Sequence, residues 1–275
     1  MRLATLRTGE GPRAARVEHD RYVGLEATDV GALLEMEGWQ ERAAAADGPA
    51  YPLDTELDVV IPRPGKILCV GLNYRSHILE MGRPLPEFPT LFAKFADTLI
   101  GPRDAIELPA ESEEVDWEAE LVVVIGATVR RAGEEEATAA IAGFTVMNDI
   151  SVRDWQFRTR EWLQGKNFER STPLGPVVAT PDELPGGVRP AVPISATVAG
   201  EKMQGADTSD LLFDPVDLVR YVSSMITLRP GDVIATGTPG GVGHARKPPR
   251  YLQDGEVVTV EVGGIGRLDN KAVRT

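Results

Sequence analysis

The chain has 275 residues, 42% of them hydrophobic, which is typical of one large globular domain or of a domain with a small appendage, and not of a disordered chain. A formal net charge of −13 and a pI near 4.8 argue against nucleic acid or an anionic membrane as a partner, although a local cation can still attract a small anion. No apolar run resembles a signal peptide or approaches the roughly 20 residues of a spanning helix, so we expect a cytoplasmic protein without a membrane partner.

The first 60 residues predict a small N-terminal α+β domain. "MRLATLR", "AARVEH" and "RYVGLEA" alternate like short strands separated by turns. The segment that follows Asp29 predicts one helix, because Asp29 can cap it and Leu33, Leu34 and Met36 form an apolar stripe. The stretch "IPRPGK" at 61–66 is typical of a linker. We therefore predict one domain at 1–60 and a catalytic domain at 64–275.

The remaining chain predicts an α+β protein that is mainly β. Eight short apolar segments punctuated by Gly and Pro indicate strands, and only a few helices are expected, including "EEEATAAIA" and "PVDLVRYVSSMI". This pattern favours a curved mixed sheet, a sandwich or a roll over a regular βαβ repeat. The only cysteine, Cys69, lies in the apolar run "ILCVGL" and is expected to be a buried small hydrophobe without a disulfide.

Within "NYRSHILEMG", His77 and Glu80 are three residues apart and would share a face of one helical turn. A carboxylate that orients an imidazole is typical of a general base, but the same spacing also occurs in surface pairs without a function. Lys94, in "PTLFAKFAD", is flanked by apolar residues and therefore either extends from a strand to solvent or lies in a cavity.

Acidic residues precede a hydrophobic strand in "EVDWEAELVVVIG". Asp116, Glu118 and Glu120 alternate, so on a strand they would point to the same side. Either they form a solvated strand face, or two of them meet a third carboxylate, Asp149, at the end of the strand "GFTVMN". Such an all-oxygen site suits Mg²⁺ or Mn²⁺, which would also relieve the repulsion between the carboxylates.

Polar and cationic residues follow Asp149, and a glycine-rich loop lies further along the chain. The segment "SVRDWQFRTREW" has helical spacing, so its cations either form a solvated face or recognise a carboxylate. The loop "GTPGGVG" follows a predicted strand and is either a plain turn or an anion site in which Thr238 donates to a substrate carboxylate. The residues of interest in the first segment and after it are Arg153, Gln156, Arg158, Arg160 and Lys166.

Together these motifs resemble the fumarylacetoacetate hydrolase family. The matching stretches occur in order over about residues 64–270: "GLNYRSHILEMG", "PTLFAKF", "VDWEAELVVVIG", "GFTVMNDISVRDWQ", "QGKNF" with "PLGP", and "LRPGDVIATGTPGGVG". The resemblance implies the family's mixed β-sandwich roll, a homodimer and a 2-oxo acid as the small-molecule substrate. It also implies Mg²⁺ or Mn²⁺ as cofactor, held by Glu118, Glu120 and Asp149.

The resemblance assigns roles to the other residues as well. Asp116 is expected to be structural or to support the metal ligands without binding the metal itself. A lid would carry His77 and Glu80 as the base that activates water, and Lys166 would add positive charge beside the metal. Substrate contacts are implied for Arg153, Gln156, Thr238 and Lys94. The eukaryotic namesake has an additional aspartate ligand ahead of its histidine, and "CVGLN" contains no acid at that place.

The implied activity is divalent-metal-dependent hydrolysis of a carbon–carbon bond in acylpyruvate-type substrates, through a metal-stabilised enolate, with a place in aromatic catabolism. The complete His77–Glu80 pair favours hydrolysis. Decarboxylation of oxaloacetate and isomerisation or hydration of 2-hydroxyhepta-2,4-diene-1,7-dioate remain alternatives, because the same enolate chemistry serves them. A more distant alternative is a non-catalytic protein that binds a 2-oxo acid.

Overall fold

A computed structural model describes residues 1–274 and shows a protein that is mainly β. Its strands are β1 (Arg2–Thr8), β2 (Gly11–Val17), β3 (Tyr22–Gly24), β4 (Ala50–Tyr51), β5 (Ile67–Gly71), β6 (Thr90–Lys94), β7 (Leu99–Ile100), β8 (Ile106–Leu108), β9 (Val115–Asp116), β10 (Ala119–Ile125), β11 (Ile141–Asn148), β12 (Ser151–Val152), β13 (Thr172–Ala179), β14 (Pro193–Val198), β15 (Glu201–Asp207), β16 (Val233–Ala235), β17 (Val257–Val262) and β18 (Gly266–Arg274). Its α-helices are α1 (Val30–Leu34), α2 (Trp39–Ala45), α3 (Arg75–Glu80), α4 (Glu134–Ala140), α5 (Arg153–Gln156), α6 (Leu163–Lys166) and α7 (Pro215–Met225). The predicted class is therefore confirmed.

Two open sheets enclose the main core. The larger sheet has the strand order β4-β3-β2-β1-β13-β11-β10-β16-β5-β6, with β7 paired to β13. The smaller sheet has the order β15-β14-β17-β18-β8. Buried side chains from both sheets, including Phe144 of β11 and Val260 of β17, belong to one hydrophobic cluster. The strand β10, which contains Glu120 and begins just after Glu118, and the strand β11, which ends just before Asp149, are thus interior strands of the larger sheet and buried on both faces.

The N-terminal segment joins this larger sheet. Strand β1 pairs antiparallel with β13, with Leu3 opposite Val178. Leu33 of α1 and Val122 of β10 belong to the same buried cluster on the other face of the sheet. The predicted division into domains near residue 60 stays a prediction, and the segment before it contributes strands to the sheet that carries β10.

The single helix predicted after Asp29 is wrong in its extent. The Asp29 carboxylate does cap α1, accepting from the Ala32 N–H at 2.9 Å. The helix ends after five residues, and α2 begins only after Gly38, whose φ of 66° lies in the left-handed region. The apolar stripe runs on to Met36, past the end of α1, so periodicity alone did not reveal the break.

The segment "SVRDWQFRTREW" forms less helix than its spacing indicates. Only Arg153–Gln156 is helical, and the chain leaves the helix at Phe157. Within residues 1–274, none of the helices combines the length and the apolar character required to cross a bilayer.

Candidate metal and substrate site

Three carboxylates converge where β10 and β11 meet. Glu118, Glu120 and Asp149 offer oxygen atoms that all lie within 4.8 Å of one another, and the three residues are buried. Their convergence follows from strand pairing, because β10 and β11 are antiparallel and Ala119 is opposite Asn148. At the end of this ladder the Asp149 N–H donates to the Glu118 carbonyl at 2.8 Å, which fixes the two acids side by side.

The residue before Asp149 holds the first acid in place. The Asn148 side-chain oxygen accepts from the Glu118 N–H at 2.9 Å. Trp117 and Glu118 lie between β9 and β10, outside either strand, so a side chain supplies the acceptor for the Glu118 N–H there. Asp116, Glu118 and Glu120 are all buried, so a solvated strand face, the alternative interpretation of these acids, is wrong.

Two lysines lie against the carboxylates. Lys166 Nζ spans Glu118 and Asp149, at 2.8 Å from Glu118 Oε2 and 2.7 Å from Asp149 Oδ2. Lys94 Nζ lies 2.8 Å from the other Asp149 oxygen, and both lysine side chains are almost completely buried. Burial alone would raise the pKa of Asp149, but the two ammonium groups bring it to about 2. The ion pairs with Asp149 and Glu118 outweigh burial at Lys166 and raise its pKa, which favours the cationic form of Lys166.

Glu120 differs from its two neighbours because no lysine or arginine of residues 1–274 lies within ion-pair distance of it. Its Oε2 accepts from the Gly237 N–H at 2.9 Å. Burial, and then the charges of Asp149 and Glu118, raise the pKa of Glu120 well above its ordinary value. Glu118 and Asp149 are contacted by three cations in all, whereas the buried oxygens of Glu120 face the other two carboxylates without one. This donor set fits a hard divalent cation such as Mg²⁺ or Mn²⁺.

Asp116 and Arg153 form the wall next to the carboxylates. Arg153 Nε lies 2.8 Å from Asp116 Oδ2, and its Nη2 lies 2.7 Å from Glu118 Oε1. The same guanidinium donates to Gln156 Oε1 at 2.8 Å. Asp116 also accepts from the N–H groups of Gly243 and His244, at 2.7 and 2.9 Å. Asp116 therefore anchors both Arg153 and the glycine-rich loop, as expected for a structural residue.

The predicted cations after Asp149 divide into two groups. Arg153 and Lys166 are buried against the acids, and Gln156 is buried and contacts Arg153. Arg158 and Arg160 are exposed, and the Arg158 guanidinium lies 3.7 Å from the ring centroid of Trp155. A solvated face thus describes only the far end of this segment.

His77 and Glu80 lie on the short helix α3, beside a cavity of about 360 Å³. Burial lowers the pKa of His77 below its ordinary value, while the charges of Glu80 and Glu118 oppose that shift. His77 is half-buried and Glu80 is exposed, and no hydrogen bond joins them in the described part of the chain. The cavity is also lined by Gly240, where an added Cβ would lie 2.9 Å from His77 Nδ1. The imidazole is therefore neutral at pH 7 and packs against the glycine-rich loop.

The glycine-rich loop connects the carboxylates to this cavity. At Gly237, φ is 102°, and an added Cβ would lie 2.9 Å from the Val70 carbonyl oxygen, so glycine is required for the close approach. Its neighbour Thr238 is half-buried and accepts a hydrogen bond from Gln204 Nε2 at 2.8 Å. Gln204 was not among the predicted site residues, because a glutamine within a strand carries no recognisable motif.

The fold and the cluster of acids define a mainly β protein with a candidate divalent-metal site made of carboxylates. Comparison with known proteins identifies the family. The model of the family described as "Fumarylacetoacetate (FAA) hydrolase C-terminal" matches residues 66–273. The chain belongs to the fumarylacetoacetate hydrolase family. The resemblance seen in the sequence motifs is therefore confirmed.

Three relatives illustrate the range of the family. The chain is 44% identical over 238 residues to oxaloacetate tautomerase FAHD2A, mitochondrial, of Homo sapiens, a match that covers 84% of this chain and 74% of the relative. A fumarylacetoacetate hydrolase from Exiguobacterium antarcticum is 32% identical, with a TM-score of 0.90 over 100% of both chains. A 5-carboxymethyl-2-hydroxymuconate delta-isomerase from Mycobacterium smegmatis is 34% identical, with a TM-score of 0.82 over 100% of this chain and 99% of the other.

Proposed function

We propose that the protein catalyses the enolisation of a 2-oxo acid, that is, proton transfer at the carbon next to the keto group, with a divalent cation as cofactor. The observation that carries this proposal is the convergence of three buried carboxylates, two of them bridged by Lys166. Oxaloacetate is the substrate best supported, because the relative at 44% identity is named an oxaloacetate tautomerase.

Glu118, Glu120 and Asp149 would hold Mg²⁺ or Mn²⁺, which supplies a Lewis acid for the keto and carboxylate oxygens of a 2-oxo acid. Lys166 is held as a cation next to two of these acids, so it adds fixed positive charge where negative charge develops during enolisation. Arg153 is oriented by Asp116 and by Gln156, and it adds a second fixed cation to the same region. Lys94 offsets the charge of Asp149 from the opposite side.

His77 is the residue best suited to move the proton. Its pKa is lowered by burial, so the ring is neutral at pH 7 and can accept a proton from carbon. The charge of Glu80, three residues away on α3, favours the imidazolium that results. Thr238, next to the residue whose N–H contacts Glu120, would donate to the substrate carboxylate.

Hydrolysis of an acylpyruvate is the second candidate function, favoured by the position of His77 and Glu80 beside a cavity large enough for water and a substrate side chain. There His77, with Glu80, would deprotonate a water that attacks the distal carbonyl. Decarboxylation of oxaloacetate and isomerisation of 2-hydroxyhepta-2,4-diene-1,7-dioate would use the same divalent cation, Lys166 and Arg153, but no attacking water. A protein that only binds a 2-oxo acid would show metal-dependent binding without turnover of any of these compounds.

The test is a substrate comparison with Mg²⁺ or Mn²⁺ and with a chelator. Oxaloacetate is followed for keto–enol exchange and for carbon dioxide release, and acylpyruvates, fumarylpyruvate and the dienedioate are followed for loss of their absorbance. We expect keto–enol exchange that requires the metal and falls at least 100-fold in His77→Ala, since general acid–base catalysis contributes about 10²–10⁴. His19→Ala, at an exposed histidine, is the matched control. Metal-independent exchange, or exchange unchanged in His77→Ala, would refute the proposal, and release of pyruvate from an acylpyruvate alone would establish the hydrolase instead.

We also propose that the protein is a homodimer in the cytoplasm, as the family resemblance and the sequence suggest. Light scattering coupled to size exclusion tests the first statement, and a mass near that of one 29.7 kDa chain would refute it. Fluorescence imaging of the tagged full chain tests the second, and signal confined to an organelle would refute it.

A further inference from the structure

Gln204 of β15 joins two parts of the site through three hydrogen bonds of its side-chain amide. It is buried, with 2% of its surface exposed. Its oxygen accepts from the Ala119 N–H at 3.0 Å, at the start of β10. Its nitrogen donates to Thr238 Oγ1 and to the Pro239 carbonyl, both at 2.8 Å. The contact therefore links the strand of the carboxylates to the glycine-rich loop.

Two backbone groups fix which way this amide faces. The Ala119 N–H can only donate, so the Gln204 oxygen must face it. The Pro239 carbonyl can only accept, so the Gln204 nitrogen must face the loop. The oxygen and nitrogen of many side-chain amides can be exchanged without loss of hydrogen bonds. Here the exchange is excluded, because it would place the Gln204 NH2 group against the Ala119 N–H and the Gln204 oxygen against the Pro239 carbonyl.

This orientation sets the direction of the Thr238 hydroxyl. Because Gln204 donates to Thr238 Oγ1, the hydroxyl proton of Thr238 must point elsewhere. Within residues 1–274 no acceptor is recorded for that proton. The adjacent Gly237 donates to Glu120 at 2.9 Å, so the hydroxyl lies one residue from a backbone contact to the carboxylate cluster.

We propose that Gln204 is a positioning residue that holds Thr238 as a hydrogen-bond donor to the carboxylate of the 2-oxo acid. The inference rests on the proposed function, since it requires a 2-oxo acid at the carboxylate cluster. Gln204 touches no reacting atom and acts only through Thr238 and the loop. A donor that is already oriented does not have to be reorganised when an anion binds.

The test is the affinity for oxalate, a planar, non-reactive analogue of an enolised 2-oxo acid, measured by calorimetry with saturating Mn²⁺. Gln204→Glu preserves the shape of the side chain, but an ionised carboxylate cannot donate and would accept the Thr238 proton itself. We expect oxalate to bind about 10- to 100-fold more weakly, the scale of one hydrogen bond to a charged group. Gln40→Glu, which adds the same charge at an exposed residue of α2, should bind as the wild type does.

A double-mutant cycle with Thr238→Val separates orientation from charge repulsion. If Gln204 acts through Thr238, Gln204→Glu has little further effect once the hydroxyl is gone, and Thr238→Ser keeps most of the affinity. Additive losses in the cycle would overturn the inference, as would unchanged binding by Gln204→Glu. Thermal unfolding checks each variant, and Gln204→Met replaces any Gln204→Glu protein that does not fold. A wild-type protein that binds no oxalate with Mn²⁺ would refute the proposed function itself, whereas normal binding with an additive cycle would refute only the role of Gln204.

Discussion

Replacing Glu120 by glutamine should stabilise the metal-free protein and weaken its response to metal. Glu120 is 1% exposed, lies within 4.8 Å of two other carboxylates and has no cationic partner in the described residues. A buried polar group without its partner costs about 1–3 kcal/mol, and more when it is charged. Glu120→Gln removes the ionisable group, and its amide oxygen can still accept from Gly237. We therefore expect the free energy of unfolding of Glu120→Gln, in chelator at pH 7, to exceed that of the wild type by about 1–3 kcal/mol.

The sign of the pH dependence follows from the raised pKa of Glu120. The folded protein holds a proton on Glu120 at pH values where the unfolded chain has released it, so the contribution of Glu120 to wild-type stability falls as pH rises above about 4. Glutamine does not titrate. The advantage of the variant should therefore vanish near pH 4 and grow toward neutral pH.

Mn²⁺ should make the wild type more stable than Glu120→Gln, the reverse of the order expected in chelator. At 100 times its dissociation constant a ligand stabilises the folded state by about 2.7 kcal/mol, and the variant, which has one carboxylate fewer, should gain less. Chemical denaturation measures the free energy of unfolding of both proteins, once with chelator and once with Mn²⁺. Glu111→Gln, at an exposed site, is the control and should match the wild type. A variant that is less stable than wild type in chelator, or that gains equally from Mn²⁺, would refute this account of the carboxylate cluster.

Lys166→Met should destabilise the metal-free protein by about 3–5 kcal/mol, because it leaves buried carboxylates without their cation, and Mn²⁺ should restore part of the loss in a denaturation experiment. Asp116→Asn should cost a similar amount and should make residues 237–246 exchange amide protons faster, since it removes the charge that Arg153 and two loop N–H groups contact; unchanged exchange would contradict the anchoring role. Asp104→Asn should cost about 1–2 kcal/mol at pH 7, because hydrogen bonds from a partly exposed Arg7 lower the pKa of Asp104; that contribution is present above about pH 4 and is lost at lower pH, so a difference that persists in acid would contradict it.

The sequence predicted the mainly β class and the acids that converge, because both depend on local patterns. Alternation placed Glu118 and Glu120 on one side of a strand, and the end of the next apolar strand placed Asp149. The family motifs then linked these acids, which strand spacing alone left ambiguous. The partners of Lys166 depend on contacts between distant segments that no local pattern shows. The same holds for the lack of a cation beside Glu120 among residues 1–274.

Other features of the site could not be predicted, for the same physical reason. Gln204 belongs to the site through hydrogen bonds with residues that lie 85 and 34 positions away in the sequence, and such contacts exist only in the folded chain. The break at Gly38 depends on a left-handed φ that an apolar stripe does not reveal. The contribution of β1 to the larger sheet was likewise invisible, because strand order is not encoded in the period of one strand.

The glycine-rich loop is fastened to the rest of the protein through its backbone at Gly237, Pro239 and Gly243. The side chains of Val242, in the loop, and of Arg246, shortly after it, line the cavity but make none of these three attachments. Directed evolution of new substrate preference could therefore begin with libraries at those two positions. Such libraries would vary the chemistry of the cavity wall while the carboxylate cluster keeps its scaffold.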